Sequence, residues 1–276
     1  MKKYIVLAVC LGLLLVSSMA MAATNYKGIT PGKGIKGTAH DLSLGNTLLN
    51  GKYGIDDNNT YANNPAGLNL DRICIWCHTP HFSLKQADIP LGAKVAYLPL
   101  WNHELTGQLN YTPYTNGTDE PGDTSHASKA EELKNQPGGV SILCLSCHDG
   151  SVAVNSYGKQ PGGQGPGDPD STGAANVFIE ADYKIGEGGD LSNHHPIGFN
   201  YDVVEGSDNE IQKKSQLLAG TYTIAALLVN GQMECVTCHD VHNTKNTGEK
   251  FLWRSDYQSE LCLACHLKAD VKKALQ

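Results

Sequence analysis

The residues with evident chemistry are four cysteine pairs, each followed at once by a histidine. They are Cys74, Cys77 and His78; Cys144, Cys147 and His148; Cys235, Cys238 and His239; and Cys262, Cys265 and His266. The pattern C-x-x-C-H is the attachment signature of a c-type haem: two thiols form thioether bonds to the porphyrin, and the histidine ligates the iron from one side. A zinc-ribbon reading would combine the pairs into Cys₄ sites and leave four adjacent histidines without a role. A disulfide framework, common in exported proteins, would not require the fixed inner spacing or the histidine. Four haems c are therefore the expected cofactors, with His78, His148, His239 and His266 as proximal ligands.

A haem iron has a second axial position, which methionine or histidine commonly fills. Of the four methionines, Met1, Met19 and Met21 precede the expected cleavage point described below, which leaves Met233. Met233 stands two residues before Cys235, too close to reach the far side of that haem. Seven further histidines remain: His40, His81, His103, His126, His194, His195 and His242. Four bis-histidine haems of low potential are the leading expectation. His81 and His242 recur in one context, C-x-x-C-H-x-x-H, and so short a tether suits a neighbouring haem better than its own. Pro196 holds His195 extended. His103 and His126 read more simply as loop histidines, with no surplus position for them to fill.

The rest of the chain must wrap these sites. Residues 1–22 read as a secretory signal peptide: Lys2 and Lys3, an apolar run from Tyr4 to Val16, then Ala20-Met21-Ala22. The run is shorter than the ~20 residues a spanning helix needs. Cys10 lies within it, so every remaining cysteine belongs to a haem motif. Residues 23–276 are then one exported tetrahaem domain. From Ala23 onward, Leu, Ile, Val and Phe supply 52 of 254 residues, close to the composition at which chains fail to fold unaided. Haem is expected to form much of the core. Losing Lys2 and Lys3 takes the formal charge from −7 to −9, which argues against nucleic acid as a partner and favours basic proteins or metal cations.

The fold expected is mostly irregular coil with short α-helices and little β. A helix beginning near Asn69 should carry the first motif and stop at Pro80. Capping boxes at Ser128–Glu131 and Ser207–Glu210 predict helices over 129–135 and up to Leu218. Ser141 and Ser255 should cap the helices of the second and fourth motifs, with Asp149-Gly150 ending the former. Residues 221–230, the most apolar run, suit helix or strand, and 267–276 a short helix. Trp101, Tyr111 and Tyr114 are expected to pack on haems or loops. Residues 158–173 hold six Gly and three Pro, a surface loop or linker; Asp168 and Asp170 there read as turn residues before they read as calcium ligands. The third and fourth motifs are only 27 residues apart, against 70 and 91 for the other gaps, so their haems should be close together.

The segments Ala39-His40-Asp41-Leu42-Ser43, CIWCHTPHF at 74–82, PLWNH at 99–103, CLSCHDGSVA at 144–153, HHPIGF at 194–199, CVTCHDVHN at 235–243 and LCLACH at 261–266 resemble exported tetrahaem cytochromes of metal-reducing bacteria. Members of that family polymerise into extracellular filaments. The resemblance implies His40, His81, His195 and His242 as distal ligands, with His194 and His103 as runners-up. It also implies stacked haems, coil wrapping, and a histidine donated across the subunit boundary. The function expected is electron transfer, with other cytochromes as donors and acceptors, self-association into a filament, extracellular metal oxides as further acceptors, and an extracellular or outer-surface location. A periplasmic monomeric shuttle is the alternative. A reductase of nitrogen or sulfur oxyanions would need an open haem, which a surplus of histidines and four unaltered motifs argue against.

Overall fold

The computed structural model describes residues 32–42, 73–81, 83–85, 98–108, 110–115, 136–154, 156–157, 176–244 and 250–267. Outside this set fall the signal peptide, the helix expected over 129–135, His126, the loop at 158–173 with Asp168 and Asp170, and the tail beyond Leu267. The described chain is coil with short helices and one two-stranded sheet, as its composition implies. In order, these are a 3-10 turn at Cys74–Trp76, helix α1 at Gly139–His148, 3-10 turns at Ala181–Tyr183 and Glu187–Gly189, α2 at Tyr201–Ser207, β1 at Leu217–Ala219, β2 at Tyr222–Thr223, α3 at Ile224–Leu227, α4 at Cys235–Cys238, a 3-10 turn at Tyr257–Ser259 and α5 at Glu260–Cys265. No helix among the described residues is long and apolar enough to cross a membrane.

Several local expectations need correction. Residues 208–218 are not a helix. Asn200 is the working cap: its side chain accepts the N–H groups of Asp202 and Val203, and α2 runs from there with Tyr201 and Val204 buried. A helix is favoured where a cap and an apolar face coincide; Asp208 instead ends α2 and folds its carboxylate onto Glu210 N–H in a local turn. Ser141 does not cap α1, whose N-cap is Gly138 with no side-chain bond. One turn into the helix, the Ser141 hydroxyl instead donates to Glu234 and accepts Cys235 N–H. Ser255 accepts Tyr257 N–H, so it serves the 3-10 turn; Gln258 and Ser259 within that turn are left-handed, and Ser259 stands at the N-cap of α5 without a side-chain bond. The first motif sits on a single 3-10 turn that ends at Cys77, before Pro80, because His78 passes at once into a backbone bridge with Trp101. Asp149-Gly150 does end α1, with Gly150 at φ 75°. The run 221–230 is strand and helix in succession, β2 then α3.

Among the described residues the apolar interior is split into three patches. The largest gathers Phe199, Tyr201, Val204, Leu218, Ile224, Met233 and Ala264, with Cys238, Trp253 and Cys265 against it. The third and fourth motifs thus share one patch, as their short spacing predicts. Leu105 with Leu143, and Tyr111 with Ile142, Leu145 and Leu191, make the other two, on opposite sides of α1. Met233 is buried among apolar side chains in the first patch.

Candidate haem sites

Each motif brings its cysteines close to those of the next. As thiols, Cys144 and Cys235 share a hydrogen bond, which pushes Cys144 up and holds Cys235 down to about 7. Burial pushes Cys77 up to about 12 and raises Cys147, and the charges of these two motifs act on each other. Burial likewise raises Cys238 to about 12, with Cys265 adding to the shift. The attachment points therefore adjoin in sequence order, first to second, second to third, third to fourth.

Three of the four histidines that follow a cysteine pair are held by backbone carbonyls. Nδ1 of His78 lies 2.5 Å from Pro99 O, that of His148 2.8 Å from Tyr183 O, and that of His239 2.8 Å from Lys250 O. A carbonyl only accepts, so each Nδ1 carries the proton and each Nε2 keeps its lone pair, the arrangement of a metal-ligating imidazole with its supporting partner. The first, third and fourth motifs share a further device. Directly after the second cysteine the chain forms a short antiparallel bridge: His78 with Trp101, His239 with Leu252, His266 with Ile211. The flanking bonds correspond, with Asn102, Trp253 and Gln212 donating to the carbonyls of Cys77, Cys238 and Cys265. At the first and third, Leu100 (φ 55°) and Phe251 (φ 59°) take left-handed backbone to turn the carbonyl onto the ring.

Three proximal rings face a second imidazole. The ring centres of His40 and His148 are 6.2 Å apart, those of His78 and His242 6.2 Å, and those of His195 and His266 6.3 Å. Two imidazoles bonded to one metal at about 2.0–2.1 Å through one nitrogen each place their ring centres about 6.3 Å apart. The fit to a bis-histidine iron is therefore a matter of distance in three separate places. Burial also keeps three of these rings neutral, the form that can ligate: it lowers His78 and His148, and takes His40 down to about 4 with the charge of His148 adding to the effect. Near His78, the buried indole Nε1 of Trp101 finds no acceptor among the described residues, a donor that suits a porphyrin carboxylate. Haem attached through the cysteines would supply reversible one-electron chemistry at iron.

The other histidines differ. His103 is only 1% exposed, with Nδ1 2.7 Å from Glu104 O and Nε2 3.2 Å from both Ala153 O and Val154 O. Its nitrogens are turned to carbonyls, and its ring lies against Cys147. His194 is half-buried beside exposed His195. His81 is exposed, and among the described residues no imidazole stands opposite His239 at the spacing of the three pairs. Tyr114 lines a small groove with His195. The carbonyl partners Pro99, Tyr183 and Lys250 escape sequence reasoning, since any residue has a carbonyl; only the apolar-aromatic steps at 100–101 and 252–253 hint at them.

Glu234 was also missed. It is 3% exposed at the start of α4 and joins the second motif to the third through Ser141. Burial pushes its carboxyl up to about 8, partly opposed by the Ser141 bond. A carboxyl raised in the folded state contributes stability that is full below its unfolded value near 4.5 and is lost as pH rises through 8. Glu234→Gln is expected to unfold like the native holoprotein at pH 4 and to be more stable by ~2 kcal/mol at pH 9. Denaturant midpoints at the two pH values check this; parallel pH profiles would contradict it.

A doubled CXXCH motif family matches residues 228–271, the span of the third and fourth motifs. No curated protein matches the chain. The match, with the mostly coil fold, supports a multihaem c-type cytochrome that works in electron transfer and holds haem c covalently.

Proposed function

We propose that the protein is an exported tetrahaem cytochrome that carries electrons along a row of closely set bis-histidine haems and polymerises into an extracellular filament. The observation that carries this reading is the set of three imidazole pairs at 6.2–6.3 Å, with attachment points adjoining in order. Each pair joins segments far apart in sequence, so the chain's own residues would bind, orient and space the irons.

The filament reading is supported by His239, which faces no second imidazole among the described residues. The first and third motifs have matching bridges and matching carbonyl supports, and each is followed three residues on by a histidine. His242, after the third motif, stands opposite His78 of the first. By the same relation His81, exposed after the first motif, suits His239 of the third motif in a second copy of the chain. Contacts of this head-to-tail kind build an open filament when the rotation from copy to copy does not close a ring. Other cytochromes would deliver and accept electrons, with metal oxides outside the cell as further acceptors, and residues 1–22 would direct export.

Cryo-electron microscopy of secreted protein tests the proposal. Native chains are expected as filaments, and His81→Ala chains as monomers with one high-spin haem. Monomers of the native protein at high concentration would favour the periplasmic shuttle. The lack of an imidazole facing His239 among the described residues is the observation that favours a reductase, and carbon monoxide binding by the native reduced protein would support that reading.

A further inference from the structure

The four motifs differ in the residue directly after the histidine: Thr79, Asp149, Asp240 and Leu267. Asp149 is 3% exposed. It takes three donors: Thr106 Oγ1 and Tyr111 OH (2.9 Å) on Oδ2, and Ser151 N–H (2.8 Å) on Oδ1. All three partners donate, so both carboxylate oxygens act as acceptors. Burial and the Asp149 carboxylate push the Tyr111 hydroxyl well up, so it stays a donor. Among the described residues no lysine or arginine pairs with Asp149; Lys184, which lies over Gly150, is paired with Glu187. The charge of Asp149 acts on both His148 and Cys147. The site also lies at the C-terminus of α1, the longest described helix at ten residues, where the helix dipole is negative. Asp240 is 5% exposed and accepts Thr244 N–H and Oγ1, but α4 is only four residues long.

We propose that Asp149 is the residue that makes the site of Cys144, Cys147 and His148 the most reducing of the four, by placing a buried negative charge beside an iron that loses one positive charge on taking an electron. Reduction here adds one electron and neither makes nor breaks a bond. Asp240 does the same more weakly at the third motif, and Thr79 and Leu267 leave the outer sites easier to reduce. The inner pair is then a step that each electron crosses between the outer sites. The inference rests on the tetrahaem reading.

Spectroelectrochemistry of holoprotein tests it. Asp149→Asn is expected to favour reduction of the most negative haem by tenfold or more, a 59 mV rise for one electron, with smaller shifts elsewhere. Tyr111→Phe keeps the charge and removes a donor, so the same haem should become harder to reduce. His40→Ala, which alters the spectrum of the haem on His148, identifies the wave. An unmoved lowest potential in Asp149→Asn, or equal movement of all waves, overturns the inference. If that variant yields no holoprotein, Tyr111→Phe decides: a fall supports the inference, and no change or a rise overturns it. A native protein without haem would overturn the proposed function, and this inference with it; native haem with an unmoved wave overturns this inference alone.

Discussion

Replacing His40 with alanine should turn one haem in the holoprotein from low-spin to high-spin and let it bind one equivalent of carbon monoxide when reduced. His40 faces His148 at 6.2 Å and is itself fixed on its other side by Phe251, stacked at 4.7 Å and 18°. Its removal takes away a strong-field ligand and brings no substitute within reach among the described residues: His103, the buried histidine near the second motif, has its nitrogens against the carbonyls of Glu104, Ala153 and Val154. His103→Ala is accordingly expected to leave all haems low-spin. Electron paramagnetic resonance of the two variants separates the cases. A high-spin signal in His103→Ala and none in His40→Ala would reverse the assignment.

Loss of haem should abolish cooperative unfolding. The described interior consists of separate patches, of which the largest has seven buried members and the smallest two. Ordering a residue costs ~1–2 kcal/mol of backbone entropy, and patches of this size cannot offset that over the described residues. The patches lie against the cysteines: Cys238 and Cys265 border the first, and α1, which bears Cys144 and Cys147, separates the other two. With all eight motif cysteines changed to alanine, urea titration followed by circular dichroism should give a broad drift in place of a sigmoid, with a slope far below that of the holoprotein. A sharp transition would show a polypeptide core sufficient by itself.

Chemistry was more legible in the sequence than geometry. The motifs announce themselves because thioether attachment demands two cysteines at one spacing with a histidine beside them. The coil-rich fold was legible for the opposite reason, a shortage of residues that could build anything else. The pairings were not legible from the residues alone: His40 with His148, and His78 with His242, are contacts across much of the chain, and no local pattern encodes them. Helix starts failed where a serine had a better use. Ser141 sits where a cap is expected, but a buried glutamate and the first N–H of α4 compete for its hydroxyl. Ser207 has the right neighbours for a capping box, but Asn200 starts a helix seven residues earlier with the apolar side chains facing inward. Left-handed Leu100 and Phe251 defy their own conformational preference, and only the ring each carbonyl must reach explains them.

That carbonyl support has a consequence for rate. At His78 and His239 the imidazole is held by a short bond from Nδ1 to main chain, on a segment bridged to the motif it serves, and would not swing when the charge on a bound metal changes. The ligand geometry of the oxidised and reduced forms should be almost the same, so little nuclear rearrangement accompanies each transfer. A low reorganisation energy lets electrons move quickly between sites of similar potential, and the stiffness that supplies it comes from backbone atoms that point substitutions leave in place.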